Sequence, residues 1–169
     1  MSLAGLDRLL TDSESFARAL EATEQSADFV AAEALRPALM AGLVRPRIPR
    51  GSRGSLLLIA ATSREAEALR SAIASLLPEA ITVEFPAWET LPHERLSPSA
   101  ETVGRRSAAL RLLREANTAP ADSGHPLVLV ASVRAALQPV SPHAANAEPI
   151  VLQAGVEGAG LEAIAVKLV

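Results

Sequence analysis

The 169 residues contain no cysteine and no tyrosine, aromatics make up only 2%, and Trp88 is the single tryptophan. Without thiols there are no disulfides, no thiolate nucleophile and no cysteine-bound metal, and a reducing compartment is compatible. So few aromatic rings leave no series of planes on which nucleic-acid bases could stack. Neither sign of charge dominates: 16 basic and 19 acidic residues give a net charge of -3, too small for a global field that draws in nucleic acid or an anionic membrane. Fifteen of the basic residues are arginine and one, Lys167, is lysine. That bias is typical of a GC-rich genome and is not taken as a sign of DNA binding. The longest apolar runs, Leu56 to Ala61 and Leu127 to Ala131, fall far short of the roughly 20 residues of a spanning helix. Met1 to Leu20 carries interspersed acids and fits neither a signal nor a transit peptide. A soluble, cytoplasmic protein without membrane contact is expected. What is present is 49% hydrophobic residues, ample for one core.

Apolar spacing organises the chain. Leu3, Leu6, Leu9 and Leu10 share a helical face, as do Phe16, Ala19, Leu20 and Thr23, and then Phe29, Val30, Ala34, Leu35 and Leu39. These predict N-terminal helices over 1–44, with Pro37 bending or ending the third. Residues 45–55, with four arginines among Pro and Gly, read as a flexible basic loop. Leu56 to Ala60 is a continuous apolar run, predicting a strand covered on both faces. Thr62 or Ser63 caps a helix that buries Ala66, Leu69, Ile73, Leu76 and Leu77 and stops at Pro78. Ile81 to Phe85 is a second strand, so the unit is strand, helix, strand, with parallel neighbours. Ser99 caps a long helix to about Ala116, predicted to face inward with Val103, Ser107, Leu110 and Leu113 and outward with Arg105, Arg106, Arg111 and Glu115. "LVLVAS" is a third buried strand, followed by a short helix over Val133 to Leu137. The class is therefore α/β, an open parallel sheet with flanking helices over residues 56–142. Residues 143–169 read as a linker, a strand at "IVLQAG" and the start of a following small domain, so a piece of a longer protein is expected.

Chemistry-bearing motifs are sparse. "GSRGS" at Gly51 to Ser55 is nearest to a phosphate loop, but it lacks Lys and precedes a strand, with no helix N-terminus to receive an anion. His93-Glu94 is not HExxH, because Ser97 stands where the second His belongs and Pro98 follows. His125 and His143 share no ligand spacing with it, so no metal site is assigned. Glu89 and Glu94 would make a carboxylate pair only by converging within roughly 5 to 9.5 Å. No GxSxG marks a serine nucleophile. The densest stretch is "FPAWETLPHERLSP", Phe85 to Pro98. Pro86, Pro92 and Pro98 restrict it to a stiff strap. Trp88 and Leu91, three apart, fit a single turn facing the sheet, with Glu89 and Glu94 toward water. Two readings stand: Trp88 plugs the sheet end, or the strap lies at the carboxyl ends of the strands, where open α/β sheets bind ligands, and Glu89, His93, Glu94 and Arg95 contact a partner. A nucleic-acid face on Arg105, Arg106, Arg111 and Arg114, and a free-standing nucleotide hydrolase using Gly51 to Ser55, are the alternatives.

"WETLPHERLSP", followed by "ETVGRRSAALRLL", a buried strand and "SVRAALQPVSP", resembles the N-terminal region of bacterial transcription-repair coupling factors, from about Leu56 to Pro142. That region is similar to UvrB, so the resemblance implies a P-loop-NTPase-like, UvrB domain 1a-like fold with a degenerate phosphate loop. It implies no catalytic, cofactor-binding or metal residue in this segment. In the family, ATP and magnesium serve a motor elsewhere in a large DNA translocase that displaces stalled RNA polymerase. UvrA is met there by the small domain that follows, through residues expected beyond Val169, and RNA polymerase and DNA through other domains. UvrB's tyrosine-rich, DNA-inserting hairpin has only the strap Pro86 to Pro98 in its place.

Overall fold

A computed structural model describes residues 12–23, 25–44, 55–90, 96–118, 126–147, 150–151 and 160–168. Its centre is a parallel sheet of β1 (Ser55–Ala60), β2 (Ile81–Phe85) and β3 (Leu127–Ser132) in the order β1-β3-β2. The helices are α1 (Glu14–Ala22), α2 (Arg36–Val44), α3 (Ser63–Leu76), α4 (Ala100–Thr118), α5 (Val133–Leu137), α6 (Pro142–Asn146) and α7 (Leu161–Leu168), with a 3-10 turn at Glu33–Leu35. Strand β3 is central because its apolar run must be buried from both sides; Leu129 alone among its residues is less than fully covered. In register, Leu58 and Glu84 flank Val130, and Ile59 and Phe85 flank Ala131.

Each sheet face has its own core. Leu58, Val128 and Val130 pack against Ala66, Ile73, Leu76 and Leu77 from α3 and its end, and against Ala38, Ala41 and Val44 of α2. Fully burying a side chain such as Ile73 contributes roughly 1.5–3 kcal/mol. On the other face Phe85, Ala131 and Ala135 pack with Ala109 of α4. Helix α3 starts where the sequence places it. Thr62 Oγ1 accepts from Glu65 N at 3.2 Å, and Glu65 Oε2 accepts from Thr62 N at 3.2 Å, a reciprocal capping box. Ser99 Oγ, the predicted cap of α4, accepts from Thr102 N at 3.2 Å.

Several expectations are corrected. Pro37 does not end a helix; it is the second residue of α2, where its missing N–H has no intrahelical partner to lose. Phe29 and Val30 accordingly precede the helix, and both are exposed. Among the described residues strand β1 is not covered on both faces: it lies at the edge of the β1-β3-β2 sheet, and Leu57 and Ile59 keep 57% and 54% of their surface in water. Helix α4 is rotated from its predicted facing. It buries Thr102, Arg106 and Ala109, and of its predicted inner face Leu110 packs against the core while Val103 and Ser107 are exposed. The reason is that an arginine, not an apolar residue, occupies an inner position, so apolar spacing points to the wrong stripe. The stretch from residue 143 is not all linker, since it continues α6, which Ser141 Oγ caps by accepting from Ala144 N at 3.0 Å. The segment Leu3 to Leu10, residues 45–54 and residues 152–155 of the predicted last strand lie outside the described residues. Among the described residues no helix is long and apolar enough to cross a membrane.

Candidate functional site

Strand β2 ends on Phe85 at the carboxyl edge of the sheet, and the chain continues as Pro86-Ala87-Trp88-Glu89-Thr90. Arg106, two turns into α4, reaches back beneath this segment. Its Cζ lies 4.0 Å from the centroid of the Phe85 ring and 4.3 Å from that of Trp88, and Nη1 donates to Pro86 O at 2.7 Å. Arg106 is 3% exposed. A guanidinium suits this place because it is planar, weakly hydrated and attracted to ring faces, whereas an ammonium is compact and strongly hydrated. Burial pushes its pKa below the ordinary value, yet an arginine in a protein stays charged.

The Trp88 backbone is held from the other side. Its N–H donates to Gln138 Oε1 at 2.7 Å, and Gln138 Nε2 donates to Trp88 O at 3.4 Å. Gln138 immediately follows α5, itself capped by Ser132 Oγ accepting from Ala135 N. The strap is thereby bonded to the end of the short helix that follows the central strand as well as to α4.

Glu89 is the electrostatic member of the cluster. Its Oε1 accepts from Ser99 Oγ at 2.6 Å and from Thr102 Oγ1, so it stands at the N-terminus of α4, where the helix dipole favours an anion. Those two hydroxyls, Ser99 first, lower its pKa from 4.5 to about 2. A carboxylate whose folded pKa is depressed contributes stability that is complete above the unfolded pKa and is lost as pH falls through the folded one. The expected result is an acid-induced loosening of the strap between about pH 4.5 and pH 2. Trp88, the one tryptophan, reports it by fluorescence. Glu89→Gln should remove the transition in that window; an unaltered acid titration in the variant would count against the assignment.

Of the residues singled out in the sequence, Trp88 and Glu89 come together here, and Arg134 adds Nη2 to Glu89 O at 3.4 Å. Leu91, His93, Glu94 and Arg95 lie outside the described residues. The exposed placement expected of Arg106 does not hold, since the side chain is enclosed by Phe85, Trp88 and Pro86. Arg105 pairs with Glu84 at 2.6 Å, Arg111 with Glu115 at 2.7 Å, and Arg114 Nη1 donates to Ala147 O at 3.2 Å. Gln138 and Thr102 were not anticipated. Thr102, three residues after the Ser99 cap, had a local signal; Gln138 had none.

The other carboxyl-edge feature is the turn between β1 and α3, Ala61-Thr62. It has no glycine, and the first-turn N–H of Glu65 is taken by Thr62 while the Glu65 carboxylate bonds Thr62 N. Ser55 opens β1, and residues 51–54 of "GSRGS" lie outside the described residues. Among the described residues no group of three or more His, Asp or Glu could hold a metal ion.

No protein-family model matches the chain. Over 105 residues, 62% of its length, it is 47% identical to the transcription-repair-coupling factors of Mycobacterium bovis and Mycobacterium tuberculosis. The matched stretch spans only 8% of the length of either relative. The resemblance read from "WETLPHERLSP" and the segments after it is borne out at this level.

Proposed function

We propose that this chain is a non-catalytic, UvrB-like module of a transcription-repair coupling factor, working through protein contacts in transcription-coupled nucleotide excision repair. The observation that carries the reading is the 47% identity over 105 residues to proteins of that name. Two features of the carboxyl edge support the non-catalytic part. A strand-to-helix phosphate site needs unoccupied N–H groups and no competing anion. At α3 the capping box uses Glu65 N and holds a carboxylate at that helix end. Under the strap, the Arg106 guanidinium donates to Pro86 O and stacks between two rings, which leaves the edge closed on itself. ATP and magnesium chemistry, RNA polymerase and DNA contacts, and the capture of UvrA belong in this reading to other segments of the longer protein.

Two measurements test it. Isothermal titration of this chain with ATP and magnesium should give no binding heat, and a micromolar dissociation constant would overturn the non-catalytic assignment. In cells, deleting residues 56–142 from the longer protein should reduce removal of ultraviolet lesions from the transcribed strand to the rate of the other strand. Preserved strand preference would refute the coupling role.

A further inference from the structure

Glycine is costly in a helix, because it loses more backbone freedom on folding than any other residue, and α2 carries one, buried, at Gly42. The helical backbone there would accept other residues; what does not fit is a Cβ, which would lie closer than 3.0 Å to both Cζ and Cε1 of Phe16. Gly104, in α4, has nothing within 4 Å of the corresponding position, so a helical glycine does not by itself imply such a neighbour. Gly42 is therefore a notch in α2, and the end of the Phe16 ring from α1 sits in it. Elsewhere α1 is loosely held. Among its described side chains only Phe16 and Ala19 are half-buried, while Glu14, Ser15, Ala17, Arg18, Glu21 and Ala22 are exposed. A cleft of about 360 Å³ stays open beside the ring, lined by Phe16 and Ala19 with Phe29, Leu35, Ala38 and Leu39. A well-packed contact leaves few voids larger than a water molecule, so α1 and the body do not interlock as a core does. Residues 26–32, which carry the chain from α1 to the body, are in neither helix nor strand and are exposed except at the half-buried Ala31.

We infer that α1 is a hinged arm, closed by the Phe16 ring in the Gly42 notch and swinging out about residues 26–32 to uncover the notch and the cleft wall of Ala38 and Leu39. Helix α2 is fixed to the core through Ala38, Ala41 and Val44, whereas the described hold on α1 is the Phe16 ring and the Ala19 methyl. Opening the arm therefore takes far less free energy than unfolding the sheet, as expected of the least stable unit of a fold. Once open, α1 does not persist as a helix, because its 9 residues fall short of the ~12–15 at which an isolated helix is even marginal in water. Its amides then exchange like those of an unstructured chain. An open population of about 0.1–10% makes the arm a two-state element separate from the core.

Hydrogen exchange, followed by mass spectrometry, tests the arm. In the wild type, peptides covering residues 14–22 should exchange at least about tenfold faster than those of β3. Gly42→Ala fills the notch and should speed residues 14–22 at least about tenfold further, with β3 unchanged. The same substitution should slow residues 36–44 or leave them as they are, because alanine favours a helix over glycine by up to roughly fivefold per residue. Damage to the fold would speed α2 and β3 as well, so opposite responses of the two helices are the signature of a blocked notch. Phe16→Ala should bring residues 14–22 to the same rate, and the double variant should go no further, since the ring and the notch act as one latch. Wild-type exchange of residues 14–22 as slow as that of β3 overturns the inference, as does an unchanged rate in Gly42→Ala, additive effects in the double variant, or β3 speeding together with α1. Should Gly42→Ala fail to accumulate, Phe16→Ala decides alone: acceleration confined to residues 14–22 supports the arm, and acceleration that spreads to α2 or β3, or none at all, overturns it.

Discussion

Arg106→Ala should lower the unfolding free energy by about 3 kcal/mol and shift the emission of Trp88 to longer wavelength. The truncation removes a side chain enclosed by two rings, leaves Pro86 O without its 2.7 Å donor, and opens a space between Phe85 and Trp88. An unfilled aromatic contact and an unpaired buried carbonyl each cost on the order of 1–3 kcal/mol. Arg106→Lys should recover little, because an ammonium cannot stack in the slot and still reach the carbonyl. Urea unfolding monitored by circular dichroism and by Trp88 fluorescence measures both effects. A surface arginine, one free to meet phosphates, would change stability by within about 0.5 kcal/mol when truncated. A result in that range would remove the structural role assigned to Arg106.

Gln138→Ala is the second large effect, a loss of about 1–2 kcal/mol. It strips both the acceptor of Trp88 N–H and the donor to Trp88 O, so the strap loses its bond to the segment after α5. Gln138→Glu offers a contrast: it keeps an oxygen for the 2.7 Å bond but sets a carboxylate oxygen against Trp88 O where the 3.4 Å donor stood, so it should not restore wild-type stability. The check is thermal unfolding together with the exchange rate of the Trp88 amide. If Gln138→Ala matches wild type in both, the Gln138 bonds do not hold the strap.

Taken together, these bonds answer why a chain poor in aromatics places its tryptophan where it does. Trp88 roofs a buried cation, its backbone is tied to Gln138, and the next residue, Glu89, accepts two hydroxyls at the start of α4. Four points of attachment converge within a few residues of the carboxyl end of β2. That makes the described part of the strap a closure of the sheet edge.

What could be read from the sequence alone is what short-range chemistry controls. Three strands, the inner face of α3, and the caps at Thr62 and Ser99 depend on apolar periodicity and on bonds between residues three apart, and these appear as local patterns. The resemblance to transcription-repair-coupling factors was legible for a related reason, since the motif around Trp88 is contiguous. The facing of α4, the burial of Arg106, the latch at Gln138 and the bare face of β1 were decided only in three dimensions. Arg106 meets Pro86 across 20 residues and Gln138 meets Trp88 across 50, separations at which no spacing rule operates. An apolar run declares that a strand wants cover, but whether it lies at the centre or the edge is set by which strand it pairs with and where the helices cross.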